Sequence, residues 1–148
     1  MTQIRETGFS LDLPGTWEAE ASPEPGGFGY HQSDGEGSVT VMLLSVRPVY
    51  AIADRMRLLG DYMQHRATYE QGLTPTLEQS DPTSHEVDGV IEGEWRGVDA
   101  VTGRQRVHRL LFVNSVLGDF CFEDSGLDQT AFDERAALVL RSASLSVE

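Results

Sequence analysis

Val39-Thr40-Val41-Met42-Leu43-Leu44-Ser45-Val46 is apolar on both parities. A strand with one wet face alternates polar and apolar residues, whereas a strand covered on both faces does not. The run therefore predicts a central strand with something packed on each side of the sheet. The residues that follow supply one cover. From Ala51 to about Glu70, the side chains Ile52, Met56, Leu59, Met63 and Ala67 recur at three- and four-residue steps, the spacing of one helical face, and Gly72 offers a stop.

Upstream, Phe9, Leu11 and Leu13 alternate with Ser10 and Asp12 before the turn at Pro14-Gly15, and Trp17 to Ala21 alternates again. Phe28 and Tyr30 open a third strand after a loop rich in Pro and Gly. Downstream, Leu73 to Gln79 reads as a strand and residues 80–84 as a loop. Val87 to Val98 and Arg104 to Val113 read as a long hairpin, and Leu117 to Glu123 as the next strand. A second helix, capped within residues 125–128, carries the stripe Phe132, Ala136, Val139 and Leu140. Residues 144–147 close the sheet as a last short strand. This order predicts one α+β domain over residues 1–148, an antiparallel sheet of about six or more strands sandwiched by helices in three layers (α/β/α). Ile52, Met56, Leu59, Phe132, Ala136 and Val139 are expected against the sheet.

Composition narrows the function classes. A chain of 148 residues buries roughly 68–70% of the surface that it exposes when unfolded, enough for a core without metal or disulfide. The formal charge of −13 repels phosphate backbones and anionic lipid, so neither nucleic acid nor membrane is expected as a partner. All 11 basic residues are Arg, which excludes Schiff-base chemistry and the Walker phosphate loop, both of which need Lys. The start, Met1 to Glu6, has no apolar core of a secretory signal, and the single cysteine makes no internal disulfide, so a cytoplasmic location is expected.

No motif assembles a reaction. His31, His65, His85 and His108 fall in four different elements without metal-ligand spacing. Cys121 lies between Phe120 and Phe122 with Asp119, Glu123 and Asp124 nearby, a field that raises a thiol pKa and favours a buried structural role. Gly26-Gly27-Phe28-Gly29 precedes a strand where a nucleotide-binding loop needs a helix. No cofactor is expected.

One charged constellation stands out. Glu92, Glu94 and Arg96 share one face of their strand, and Arg104, Arg106 and His108 share one face of the next. With paired positions summing to about 200, these six face each other as a ladder. The N-terminal half of the second strand then projects beyond the helical cover. Residues 104–118 carry three Arg and no acid, and planar guanidinium forks suit carboxylates on a partner. The ladder is therefore the expected partner-binding surface.

The order of elements resembles the Mog/PsbP-like superfamily. So does the opening Phe9-Ser10-Leu11-Asp12-Leu13-Pro14-Gly15-Thr16-Trp17, similar to that group's aromatic-x-x-x-x-Pro-x-x-Trp start, and the terminal helix leading into Arg141-Ser142. The resemblance implies an antiparallel sheet sandwiched by helices. It also implies non-enzymatic roles: members bind a Ran-type GTPase, serve as an extrinsic photosystem subunit, or act as bacterial lipoproteins and secretion-effector chaperones. This sequence departs from the lipoprotein and photosystem members in showing no lipid-anchor leader or targeting peptide. The leading expectation is a non-catalytic cytoplasmic protein-binding or accessory module. The alternative is a hydrolase or small-ligand-binding protein whose site gathers distant residues such as His31, His108 and nearby acids.

Overall fold

In the computed structural model, which describes residues 1–22, 24–48 and 51–146, the chain order begins with β1 (Thr2–Glu6), β2 (Phe9–Leu13), β3 (Trp17–Glu20), β4 (Phe28–Gln32) and β5 (Ser38–Ser45). Helix α1 (Ile52–Leu73) follows, then β6 (Leu77–Gln79), β7 (Thr83–Val87), β8 (Val90–Asp99), β9 (Gln105–Val113) and β10 (Val116–Asp124). Helix α2 (Gln129–Leu140) and β11 (Ser144–Leu145) end it. The main sheet has eight strands in the order β3-β4-β5-β10-β9-β8-β6, with β7 also beside β8, and a smaller sheet has the order β1-β2-β11. Every pairing is antiparallel. Among the described residues the fold is thus α+β, antiparallel, with two helices. Among the described residues no helix is long and apolar enough to cross a membrane.

The central strands sort their side chains onto two separate cores. Ile91, Trp95, Leu110, Phe112 and Leu117 pack with Leu59 and Met63 of α1. Val39, Val41, Val107, Leu111, Phe120 and Phe122 pack with Phe132, Ala136 and Val139 of α2 and with Phe9, Leu11 and Leu13 of β2. One face of the sheet thus meets α1, and the other meets α2 and the small sheet together. That sharing departs from a plain helix–sheet–helix sandwich. Asp128 starts α2 by accepting the backbone N–H of Ala131 at 2.8 Å.

Five local expectations need correction. Ile52 is 47% exposed, because the inward line of α1 is Arg55, Leu59, Met63 and Glu70; two of these four are charged, so hydrophobic spacing pointed to a rotated face. Gly72 lies within α1 rather than ending it, and only Leu77–Gln79 of the expected strand 73–79 is extended. The expected loop at 80–84 holds for residues 80–82 but ends at β7, which takes Thr83 and Ser84 and is joined to β8 through Asp88 and Gly89 at φ 51° and 82°, a two-residue turn of the kind Asp-Gly favours. Finally β11 pairs with β2 rather than closing the main sheet; Val147 lies outside the described residues.

Candidate functional site

The register of β8 and β9 decides where the six charged residues go. Trp95 pairs with His108, Glu94 with Arg109 and Gly97 with Arg106, so partners sum to 203. An odd offset from the expected 200 sends one strand's alternate set to the other face. Glu92, Glu94 and Arg96 therefore share the α2 face with Val107 and Arg109, while Arg106 and His108 lie on the α1 face. Arg104 stands before β9 and donates to the hydroxyls of Ser125 at 2.8 Å and Ser38 at 3.0 Å. The single ladder does not form. Nor does the start of β9 project, since Gln105, Val107 and His108 are all buried.

On the α1 face the structure builds a sealed ionic cluster. His108 is 2% exposed, with Nδ1 at 2.8 Å from Asp119 Oδ1 and Nε2 at 3.0 Å from Glu70 Oε1. Tyr62 donates its hydroxyl to the other Asp119 oxygen at 2.8 Å. Glu70 also meets Arg106 Nη1 at 3.2 Å, and Arg106 Nε reaches Glu123 at 2.9 Å. Burial by itself lowers an imidazole pKa, but the electrostatic pull of Cys121 and Asp119 and the hydrogen bonds to both overcome it, leaving His108 well above its ordinary range. Burial keeps the Cys121 thiol protonated by pushing its pKa up, so at neutral pH the carboxylate of Asp119 supplies that pull. Burial works against ionisation of Asp119 and Glu70 as well, yet the adjacent imidazolium holds both carboxyls below their usual range. The result is an ion triad with its members paired to one another, of the kind that low-dielectric interiors tolerate only when fully hydrogen-bonded.

On the opposite face lies an open groove of about 330 Å³ between α2 and the β7–β8–β9 edge of the sheet. Its floor includes Val107, and its helical wall includes Ala136, Ala137 and Leu140. Arg109 crosses it, donating to the Leu140 carbonyl at 2.6 Å and to Glu92 Oε1 at 3.3 Å. His85 Nε2 sits 3.0 Å from the other Glu92 oxygen. Arg96 bridges to Asp133 on α2, whose carboxyl it holds below the usual range. The groove exists because α2 and the small sheet cover β10, β5 and their neighbours but leave the β7–β8 margin bare.

His31 is not near His108: it stands on β4, three strands away, about 14 Å at the usual interstrand spacing. It contacts Glu18 and Glu20 at 3.4 and 3.3 Å. Among the described residues no group of three or more His, Cys, Asp or Glu is placed to hold a metal. Sequence reasoning missed Tyr62, Glu70 and Asp119 in the cluster and His85, Asp133 and Arg141 in the groove. Asp119 carried a usable signal, since a lone acid inside the apolar run Leu117 to Phe122 must find a buried partner.

No family model matches the chain, and no curated protein matches it in sequence. Among solved structures it is similar to cyanobacterial PsbP (CyanoP) from Synechocystis sp. PCC 6803, with a TM-score of 0.70 at 14% identity over 98% of this chain and 92% of that one. It is also similar to LpqN of Mycobacterium tuberculosis, a protein involved in cell envelope biogenesis, with a TM-score of 0.58 at 14% identity over 99% and 90% of the two chains. A protein from Bacteroides thetaiotaomicron superposes with a TM-score of 0.50 at 11% identity, over 95% of this chain and 46% of that one. At such identities the likeness is one of fold, and the fold is PsbP-like.

Proposed function

We propose that this chain is a non-catalytic accessory module that binds a partner protein through the groove between α2 and β7–β9. The observation that carries this reading is the separation of chemistry from access. The imidazole flanked by two carboxylates and a thiol is sealed beneath α1, and the open groove lies on the other face of the sheet. General acid–base or nucleophilic catalysis needs both in one place, and in the groove the exposed His85 meets only Glu92, a carboxylate that Arg109 already pairs. In the groove Glu92 is occupied by Arg109 and His85, and Asp133 by Arg96, an arrangement that suits recognition of a polar surface. The PsbP-like fold supports the same reading, and kinship with the wider Mog/PsbP-like superfamily is its finer form. The partner is taken to be a protein because a charge of −13 repels nucleic acid, and the cytoplasm is taken as its place because the single cysteine makes no internal disulfide.

Ala137 is exposed on the groove wall, so Ala137→Trp fills the groove without entering the core. Proteins retained from a host lysate by the wild-type chain are expected to be lost by this variant, with an unchanged melting temperature. Turnover of ester, phosphoester or peptide substrates that vanishes in His108→Asn would replace the reading with a hydrolase.

A further inference from the structure

The groove does not end at Arg96. A second cavity of about 190 Å³ lies beyond it, bounded by Glu78, Val98, Gln129 and Phe132, and Arg96 lines both. The partition between the two is the Arg96–Asp133 ion pair, with Gln129 Nε2 donating to the same Asp133 oxygen at 2.9 Å. Both charged side chains are about two-fifths exposed (39% and 42%). Pairs so exposed contribute little to stability and part readily. With the pair open, the two cavities become one trough.

Its length sets the reach of an occupant. The trough follows β8 from Glu92 to Val98, about 20 Å at ~3.3 Å per residue. It runs beside α2, which spans about 18 Å at ~1.5 Å per residue. A segment of extended chain of about six residues covers that length at ~3.3 Å per residue.

Its charges select the sequence of that chain. Within the trough the acids are already met: Glu92 by Arg109 and His85, Glu94 and Asp133 by Arg96. The two ends differ. Arg141 stands exposed at the C-terminal end of α2 and Glu78 stands exposed at the far end, and among the described residues neither makes an ion pair. A small anion would find only one unengaged cation, but a segment long enough to reach both ends meets complementary charge at each.

We propose that the trough docks an extended segment of a partner protein that carries an acidic side chain at the Arg141 end and a basic one at the Glu78 end, about six residues apart at ~3.3 Å per residue. This rests on the binding reading above and names the chemistry of the ligand. Arg96 and Asp133, once parted, offer a donor and an acceptor to the incoming backbone, so their pairing is exchanged rather than lost.

The test uses the full chain and a displayed library of random eight-residue peptides, followed by fluorescence anisotropy on recovered sequences. Recovered peptides are expected to carry an acid and a base five to seven positions apart in one constant order. Arg141→Glu and Glu78→Arg are each expected to weaken a representative peptide about tenfold through like-charge contact, with the melting temperature unchanged. The Arg141→Glu/Glu78→Arg double variant should regain affinity for the same peptide with its two charges exchanged. Peptides with no such spacing, or with affinities indifferent to both reversals, overturn the trough as a polarised site. So does a library that yields no binder. Loss of lysate partners in Ala137→Trp alongside either result keeps the binding reading, so the two can fail separately.

Discussion

The indole of Trp95 lies flat on the imidazole of His108, ring centroids 3.8 Å apart and planes within 7°. The two residues are cross-strand partners in β8 and β9. Trp95 Nε1 donates to Gln79 Oε1 at 3.1 Å, and Gln79 in turn donates to the Ala67 carbonyl at 2.8 Å, which ties the stack to β6 and α1. An indole face favours a cation against it. With one ring face covered by Trp95 and both nitrogens held by carboxylates, His108 is fixed in its charged form.

That arrangement has a sign in pH. The folded-state pKa of His108 lies above the ordinary value, about 6.5 in an unfolded chain, so above that pH the folded state binds the extra proton. The stabilisation is fully present below about 6.5 and is lost as pH rises through the folded value. Glu70 and Asp119 have lowered pKa values; their contribution is present above the unfolded values of about 4 and is lost as pH falls through the folded ones. Urea unfolding between pH 4 and 9 should therefore show a plateau near pH 4.5–6.5 and a decline above it. In His108→Asn the decline between about pH 6.5 and 8 should vanish, although the variant is less stable throughout. A wild-type profile flat from pH 6.5 to 9 would show a neutral imidazole in the folded protein.

Asp119 and Tyr62 test how the cluster is held. Asp119→Asn leaves the buried imidazolium with Glu70 alone, and breaking a buried ion pair costs about 3–5 kcal/mol. Tyr62→Phe removes one neutral donor from Asp119, whose hydroxyl stays protonated because burial and then Asp119 push its pKa up; a lost buried hydrogen bond costs about 1–3 kcal/mol. Denaturant midpoints should fall in that order. The double variant should lose less than the sum, because both changes act on one carboxylate. Equal losses would mean that Asp119 serves Tyr62 rather than His108.

Periodicity reads what each strand does by itself, and that explains both the successes and the misses. β2 and α2 were legible because their apolar residues repeat at the period of the element, and β5, β9 and β10 because they carry apolar runs that ignore parity. β7 was not, because Thr83-Ser84-His85-Glu86-Val87 has no apolar face, although the following Asp88-Gly89 pair signalled its turn. α1 was located, but its inward line was hidden by Arg55 and Glu70. Arg55 donates to the carbonyls of Gly89 at 3.1 Å and Phe112 at 3.0 Å, satisfying in the interior a residue that composition assigns to the surface. The alternation of β8 and of β9 was each read correctly, but the offset between them depends on the loop at residues 100–103. One odd step there separated His108 from Glu92 and brought it to Trp95. The groove residues come from β7, β8, β9 and α2, and no pattern within a single element could gather them.

Cys121 offers a direct measure of whether the cluster is as closed as its geometry implies. It is the chain's one cysteine, it is 6% exposed, and it pairs in register with His108. Burial pushes its thiol pKa up against the pull of the neighbouring imidazolium, so the native sulfur is both covered and protonated. An aromatic disulfide reagent at pH 8 must then wait for the structure to open, and the labelling rate equals the free-thiol rate multiplied by the open fraction. Labelling should be slow in native buffer and immediate in urea. Asp119→Asn, destabilised by about 3 kcal/mol or more, should label on the order of 10² times faster, and Tyr62→Phe should fall between it and the wild type. If the native thiol instead reacts at the free rate, solvent reaches the cluster. A thiol beside an imidazole flanked by two carboxylates would then be accessible to substrates, and the separation of chemistry from access on which the binding reading stands would be gone.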